Sequence, residues 1–300
     1  LTSRAREPMI PLWTVLSFTS AFALATSDAL TKRIITPANE HAIAWLRIVY
    51  SLPVLAAAAL AAPVPSLVGT FVLAFCAALP LEIAAIVLYC QALRASPLSL
   101  SLPFLSFTPV FLMLFSRIVL GEAVSPAGGI GIGLIALGGY TLNLSSFREG
   151  PLAPLRAIVR EKGSRNMIIV ALIYSATSAL GKLAIGHSSP AFFGATYYLA
   201  LAVFLLPVFA VRQGWRRFRG ELRLAARPAV LPGAFDAVQS VTHFFAVSMA
   251  NVAYMIAIKR SSLLIGSLYG FLLFGERNVR DRALGAALMF AGFLVIVLQA

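Results

Sequence analysis

The sequence predicts an all-α polytopic membrane protein, with ten transmembrane helices as two inverted five-helix repeats. Three observations predict it. Of 300 residues 60% are hydrophobic and only 12% charged, with a mean hydropathy of +0.89, a composition that suits lipid rather than water. Apolar runs of about 20 residues, the length that crosses a bilayer, recur ten times. The second half of the chain then repeats the landmarks of the first.

The runs lie near residues 10–33, 42–62, 67–93, 97–119 and 127–146, then near 166–186, 191–211, 228–250, 252–274 and 282–299. Connections such as "APVPS", "RASP" and "GEAVSP" are so short that neighbouring spans must be antiparallel. A basic stretch, 148–165, divides a first repeat (1–147) from a second (166–300). The start, with Arg4, Arg6, an apolar run and Ala23-Leu-Ala25 spacing, has the form of a signal peptide. Cleavage there would remove most of the first helix of copy one, so this run is read as a span. Copy two supports that choice, because "DALTK" (28–32) matches "SALGK" (178–182) at an offset of 150.

The remaining landmarks match at an offset of 154. Pro53 matches Pro207, Gly121-Glu122 matches Gly275-Glu276, and Gly131 and Gly138 match Gly285 and Gly292. Five spans per copy is an odd number, so the second copy inserts upside down, the inverted repeat of many transporters. Each Gly-Glu pair reads as a helix end at the membrane surface, closed by glycine with a solvated glutamate. Gly129/Gly133 and Gly266/Gly270 read as small-residue faces for close helix packing. Pro103 and Pro109 leave the carbonyls of Ser99 and Leu105 without their usual donors, so the fourth span, which also carries Pro97, should kink.

Two stretches carry a resemblance: "YCQALRASPLSLSLPFLSFTPVFLMLFSRIVLGEAVSPAGGIGIGLIALGGYTL" (89–142) and "AYMIAIKRSSLLIGSLYGFLLFGERNVRDRALGAALMFAGFLVIVL" (253–298). In each, a helix ends at Gly-Glu and a glycine-rich helix follows. The chain resembles the ten-helix EamA-type members of the drug/metabolite transporter superfamily over essentially its whole length. The resemblance implies a secondary-active exporter or exchanger of small metabolites, amino acids first.

Ionisable groups at membrane depth mark cavities or partners. Glu82 and Asp236 sit mid-span and differ by 154, which makes them symmetry-related carboxylates. Asp236, Gln239 and His243 share one helix face, and Glu82, Ala85 and Tyr89 the matching one. They read as an ammonium contact or proton carrier, or as members of a structural ion pair. Asp28 and Lys32 are spaced i, i+4 for an intrahelical pair. Lys182 keeps the lysine of copy two but faces Ser178 where copy one has the acid, so it needs another carboxylate or a substrate anion, or else snorkels with Lys32. Arg47 is a candidate partner for Glu82.

Lys259-Arg260 lies about 12 Å into the ninth span, where copy one has Leu105 and Ser106. It resembles the phosphate-binding pair of the triose-phosphate translocator branch. It reads as a carboxylate or phosphate contact, or as pairing with Asp236 or Glu82. Tyr197, Tyr198, Tyr254, Tyr269 and Phe104 offer an aromatic wall or simple packing.

Other chemistry is thinly represented. Three scattered histidines, and Cys76 and Cys90 about 21 Å apart along a helix, form no metal, disulfide or cofactor pattern. No ATP-binding motif occurs, so a gradient or exchange must drive transport. Eleven of the 24 Lys/Arg lie in 148–165 and 212–227, which suits anionic headgroups rather than nucleic acid. Seventeen lie on the side of the odd-numbered connections and three (Arg4, Arg6, Arg117) on the other. The positive-inside rule then places both termini outside, opposite to the family's usual orientation.

The expectation is therefore a monomeric inner-membrane transporter working by alternating access. It takes a small-molecule substrate, with a proton or counter-substrate, and no cofactor. An antiporter of phosphorylated or nucleotide-type metabolites, through Lys259/Arg260, is the alternative. From another class, an intramembrane enzyme would use Glu82 and Asp236 as an acid–base dyad.

Overall fold

The computed structural model describes residues 11–36, 38–95, 102–142, 161–274 and 279–298. Helices account for the described chain: α1 Leu12–Ile34, α2 Glu40–Leu60, α3 Gly69–Ala95, a 3-10 turn Leu102–Phe107 leading into α4 Thr108–Leu120, and α5 Pro126–Thr141. The second half has α6 Lys162–Gly186, α7 Pro190–Gln213, α8 Trp215–Ala225, α9 Val230–Met249, α10 Val252–Lys259, α11 Ser262–Phe274 and α12 Val279–Val297. The 3-10 turn with α4, and α10 with α11, each make one broken span. Ten spanning elements therefore stand as the sequence predicts, with α8 as an addition.

Six of these elements are long and apolar enough to cross a membrane by length and composition. α1 and α9 are not among them, although they have 23 and 20 residues. They carry the buried polar residues Thr14, Ser17, Ser20, Ser27, Asp236, Gln239 and Ser240, and they pack against each other inside the bundle. Lipid-facing helices show the opposite pattern, with Leu114, Ile118, Phe204 and Leu272 more than half exposed. Solvent-sized polarity inside and apolar side chains outside is what a bilayer selects.

The helix pairings reveal the repeat. α1 packs on α9 as α6 packs on α3, and α4 packs on α6 as α11 packs on α1. α2 meets α7, and α5 meets α12, across the pseudo-twofold. At that last contact Gly131 lies against the Gly292 carbonyl and Gly138 against the Gly285 carbonyl; a Cβ on Gly138 would stand 2.7 Å from that oxygen. Residue i of one copy thus meets the counterpart of residue j in the other, as a twofold requires. The repeated glycines are the packing face. Gly133 and Gly266 have open space beyond them, and Gly129 meets only the Met113 methyl, which corrects the small-residue faces read at Gly129/Gly133 and at Gly266.

Local chemistry sets the boundaries. Gly121 takes φ 69° and ends α4, its N–H donating to the Arg117 carbonyl and that of Glu122 to the Ser116 carbonyl, the left-handed cap that glycine tolerates. Ser125 and Ser189 cap α5 and α7, accepting from the backbone N–H of Gly128 and Phe192, with Pro126 and Pro190 at the first helical positions. α6 begins at Lys162, so the end of the basic connector is helical. The other basic stretch, read as a loop, contains α8, whose Phe218 and Ala225 are buried against the bundle.

Candidate functional site

Both broken spans break at matching places. In copy one the residues Leu105, Ser106 and Phe107 lie in the 3-10 turn. In copy two Lys259, Arg260 and Ser261 form the junction between α10 and α11, where the Ser261 N–H donates to the Ile258 carbonyl at 2.9 Å, the tighter i→i−3 pattern. Prolines account for the first break. No proline accompanies the second, so hydropathy alone could not reveal it.

The Leu105 carbonyl freed by Pro109 does not stay bare. Thr108 donates its hydroxyl to it at 2.8 Å and accepts from an Arg260 guanidinium nitrogen at 2.8 Å. The kink in copy one thereby holds the arginine of copy two. This is the one hydrogen bond of the Arg260 side chain among the described residues, and its Nε is buried without a partner there. Tyr174 and Tyr89 are close enough to interact with its charge, and Tyr89 packs among Phe104, Leu105 and Met167. Lys259 donates to Nδ1 of His243 at 3.3 Å.

Neither cation has a carboxylate within salt-bridge distance among the described residues, so their expected pairing with Asp236 or Glu82 does not form. Lys259 instead sits in the field of Asp236, Glu82 and Asp28. Glu82 also makes no ion pair among the described residues. Thr177 stands beside its carboxyl, and Tyr174 and Tyr197 lie close by. The Tyr197 hydroxyl is buried with no hydrogen-bond partner among the described residues.

Asp236 behaves differently. Arg47 donates to its Oδ1 at 2.8 Å and to Asp28 Oδ1 at 2.9 Å, and Ser51 donates to Asp236 Oδ2 at 3.3 Å. Arg47, expected beside Glu82, is therefore the bridge between Asp28 and Asp236. The bond that the structure gives Asp28 is to Arg47 of the next helix, while Lys32 is exposed in the last turn of α1. Both Asp236 oxygens are engaged, so the two symmetry-related carboxylates differ in their partners. Gln239 is buried, and its carbonyl accepts from Ser20.

Lys182 finds its missing acid in the first Gly-Glu pair. It salt-bridges Glu122 and donates to the Ala250 carbonyl. Glu122 also accepts from the Val252 N–H at 3.0 Å, at the start of α10, where Asn251 accepts from Ala253. An anion at a helix N-terminus is well placed. Lys182 does not snorkel, and Glu122, expected to be solvated, ties α6 to the α4–α5 and α9–α10 connections. The second pair, Gly275-Glu276, lies outside the described residues, as does Pro97.

The aromatic residues do not form one wall. Phe104 is core, Tyr197 stacks on Phe193 at 4.9 Å, and Tyr198 bonds Ser240. Tyr254 donates to Ser125 at 3.2 Å, and Tyr269 bonds Thr26 at 2.9 Å.

A family model described as the EamA-like transporter family matches this chain twice, over residues 11–144 and 162–298. The chain belongs to the EamA-like transporter family. Membership makes it a multi-pass membrane transporter of small molecules. A solved structure described only as "Crystal structure of protein" shares the fold of this EamA-like transporter, with a TM-score of 0.72 at 16% identity, over 97% of this chain and all of that one. No curated protein matches it.

Proposed function

We propose that this EamA-like transporter is a secondary-active exporter or exchanger of small amphipathic metabolites, with amino acids as the first class, working by alternating access in an inner cell membrane. One observation carries the reading. Lys259 and Arg260 sit at a helix break in the middle of the bundle with no carboxylate paired to them among the described residues, where buried charge is costly unless it meets a counter-charge. A substrate carboxylate supplies one. Arg260 offers its fork and Lys259 a point charge. Glu82, which makes no ion pair among the described residues, takes the ammonium group or carries the coupled proton.

The two ion networks give the access cycle its ends. Glu122, Lys182 and the start of α10 clasp the end of the bundle formed by the α4–α5, α6–α7 and α9–α10 connections. Asp28, Arg47 and Asp236 lie toward the other end, where the Asp28 side chain is 52% exposed. The arrangement supports a state closed by the clasp and approached from the Asp28 side. Exchange needs the clasp to part while the opposite end closes.

Counterflow in proteoliposomes tests the reading. Amino acids inside should accelerate uptake of labelled amino acid, and both Arg260→Ala and Glu82→Gln should abolish it. Normal flux in both variants would refute the assignment. The unpaired cation pair also suits the second reading, exchange of phosphorylated metabolites. Acceleration by sugar phosphates but not by amino acids would select it.

A further inference from the structure

We infer that α8 is a built-in binding surface for anionic phospholipid headgroups, on the leaflet facing the α7–α9 connection. The helix is docked by one face. Phe218 is fully buried, 6.3 Å from the Phe209 ring, and Leu222 and Ala225 pack against Ile43 and Leu46 of α2. Its other face is basic. Arg216, Arg219 and Arg223 follow i, i+3, i+7, one stripe of a helix, and all three are exposed, as are Arg212, Arg217 and Arg227 around them.

None of the side chains of Arg216, Arg217, Arg219 and Arg223 forms a hydrogen bond or ion pair among the described residues, so this charge is not spent inside the protein. Two large apolar side chains accompany the arginines: Trp215 is 52% and Leu224 75% exposed. Guanidinium groups beside an exposed tryptophan, at the mouth of two spanning helices, suit the headgroup layer, where arginine meets phosphate and the indole meets the acyl boundary. A water-facing loop has no use for Trp215 and Leu224, and a nucleic-acid face has no reason to lie at the end of α7.

The docked face also links this surface to the site. Tyr50 of α2 donates to the Ala226 carbonyl just after α8 at 2.9 Å, and Gln213 bonds the Ala38 carbonyl ahead of α2. α2 carries Arg47 less than one turn before Tyr50, and α9, which follows α8, carries Asp236. Headgroup binding thus holds the helices that build the Asp28–Arg47–Asp236 network. This inference does not depend on what is transported.

The test uses the full chain, purified in a neutral detergent, and its melting temperature with added phosphatidylglycerol, phosphatidylcholine or inorganic phosphate. Phosphatidylglycerol should raise the wild-type Tm by roughly 2–4 °C, the scale for a ligand at several times its Kd on a chain of this size. The other two should not. Replacing Arg216, Arg219 and Arg223 by glutamine should remove the rise, Arg223→Gln alone should lessen it, and Arg117→Gln, at the end of α4, should leave it intact. An equal rise in the triple variant overturns the inference, and so does one from phosphate alone. A wild-type response to polyglutamate but not to phosphatidylglycerol would assign the surface to an acidic protein partner and overturn it as well.

Discussion

The network around Asp236 and its symmetry mate around Glu82 began as the same set of positions and now do opposite things. In one, Arg47 bridges Asp28 and Asp236. At the repeat offsets the equivalents of Asp28, Arg47 and Asp236 are Ser178, Leu201 and Glu82. Leu201 is buried in the core and cannot neutralise Glu82. The broken spans diverge in the same way, with Leu105-Ser106 in copy one and Lys259-Arg260 in copy two. Ser106 donates to the carbonyls of Pro103 and Ala136 at 2.7 and 3.0 Å and seals its break. Arg260 leaves most of its donors open. Duplication repeated the backbone geometry, and the departures from symmetry separate the structural charges from those available to a ligand.

The largest effect expected from breaking this contrast is at Arg47. Arg47→Ala strands Asp236 in the bundle and should cost about 3–5 kcal/mol, as when one partner of a buried pair is removed, read as a lower midpoint of unfolding in detergent. Arg47→Leu, the residue at the equivalent position 201, combined with Asp236→Asn, which removes the stranded charge, should recover much of that loss. If Arg47→Ala unfolds like wild type, the network is not structural.

Next comes the scaffold that the copies share. Gly138→Ala drives a Cβ to 2.7 Å from the Gly285 carbonyl, with backbone on the receiving side, and should cost about 1–3 kcal/mol by overpacking. Gly133→Ala, with nothing within 4 Å of its Cβ, should be neutral or gain up to about 1 kcal/mol from helix propensity. Equal unfolding midpoints for the two variants would contradict the twofold contact. The smallest effect is at the clasp. Glu122→Gln keeps an acceptor for the Val252 N–H but loses the charge beside Lys182, so it should lower stability by no more than about 1 kcal/mol, while shifting the balance of access in counterflow.

Much of this was legible in the sequence. Hydropathy located the ten spanning elements because lipid leaves little freedom in what a span contains. The offsets of 150 and 154 exposed the repeat, with Gly131, Gly138, Gly285 and Gly292 as matching landmarks, but the packing faces were read at other glycines, because which glycine meets which backbone depends on how α5 and α12 face each other. Depth alone singled out Glu82, Asp236, Lys259 and Arg260. Their partners were not legible, since Arg47 and Glu82 lie on helices whose relative rotation no periodicity reports. Thr108 and Thr177 are single hydroxyls among many. Glu122 resembled a surface glutamate because its neighbours, Lys182 and the start of α10, are remote in sequence. α8 was overlooked because its arginines outweighed Phe218, Leu222 and Ala225, although the i, i+4, i+7 spacing of those three was present to be read.

The most direct measurement is a paired one on Arg260→Met: its melting temperature, and the stabilisation of the protein by a panel of amino acids and sugar phosphates. An arginine held open for a substrate anion predicts that the variant melts at or above the wild-type temperature and no longer responds to the ligand that stabilises wild type. A loss of about 3–5 kcal/mol, the signature of a broken buried ion pair, with ligand stabilisation retained, would contradict the account and make Arg260 a structural residue.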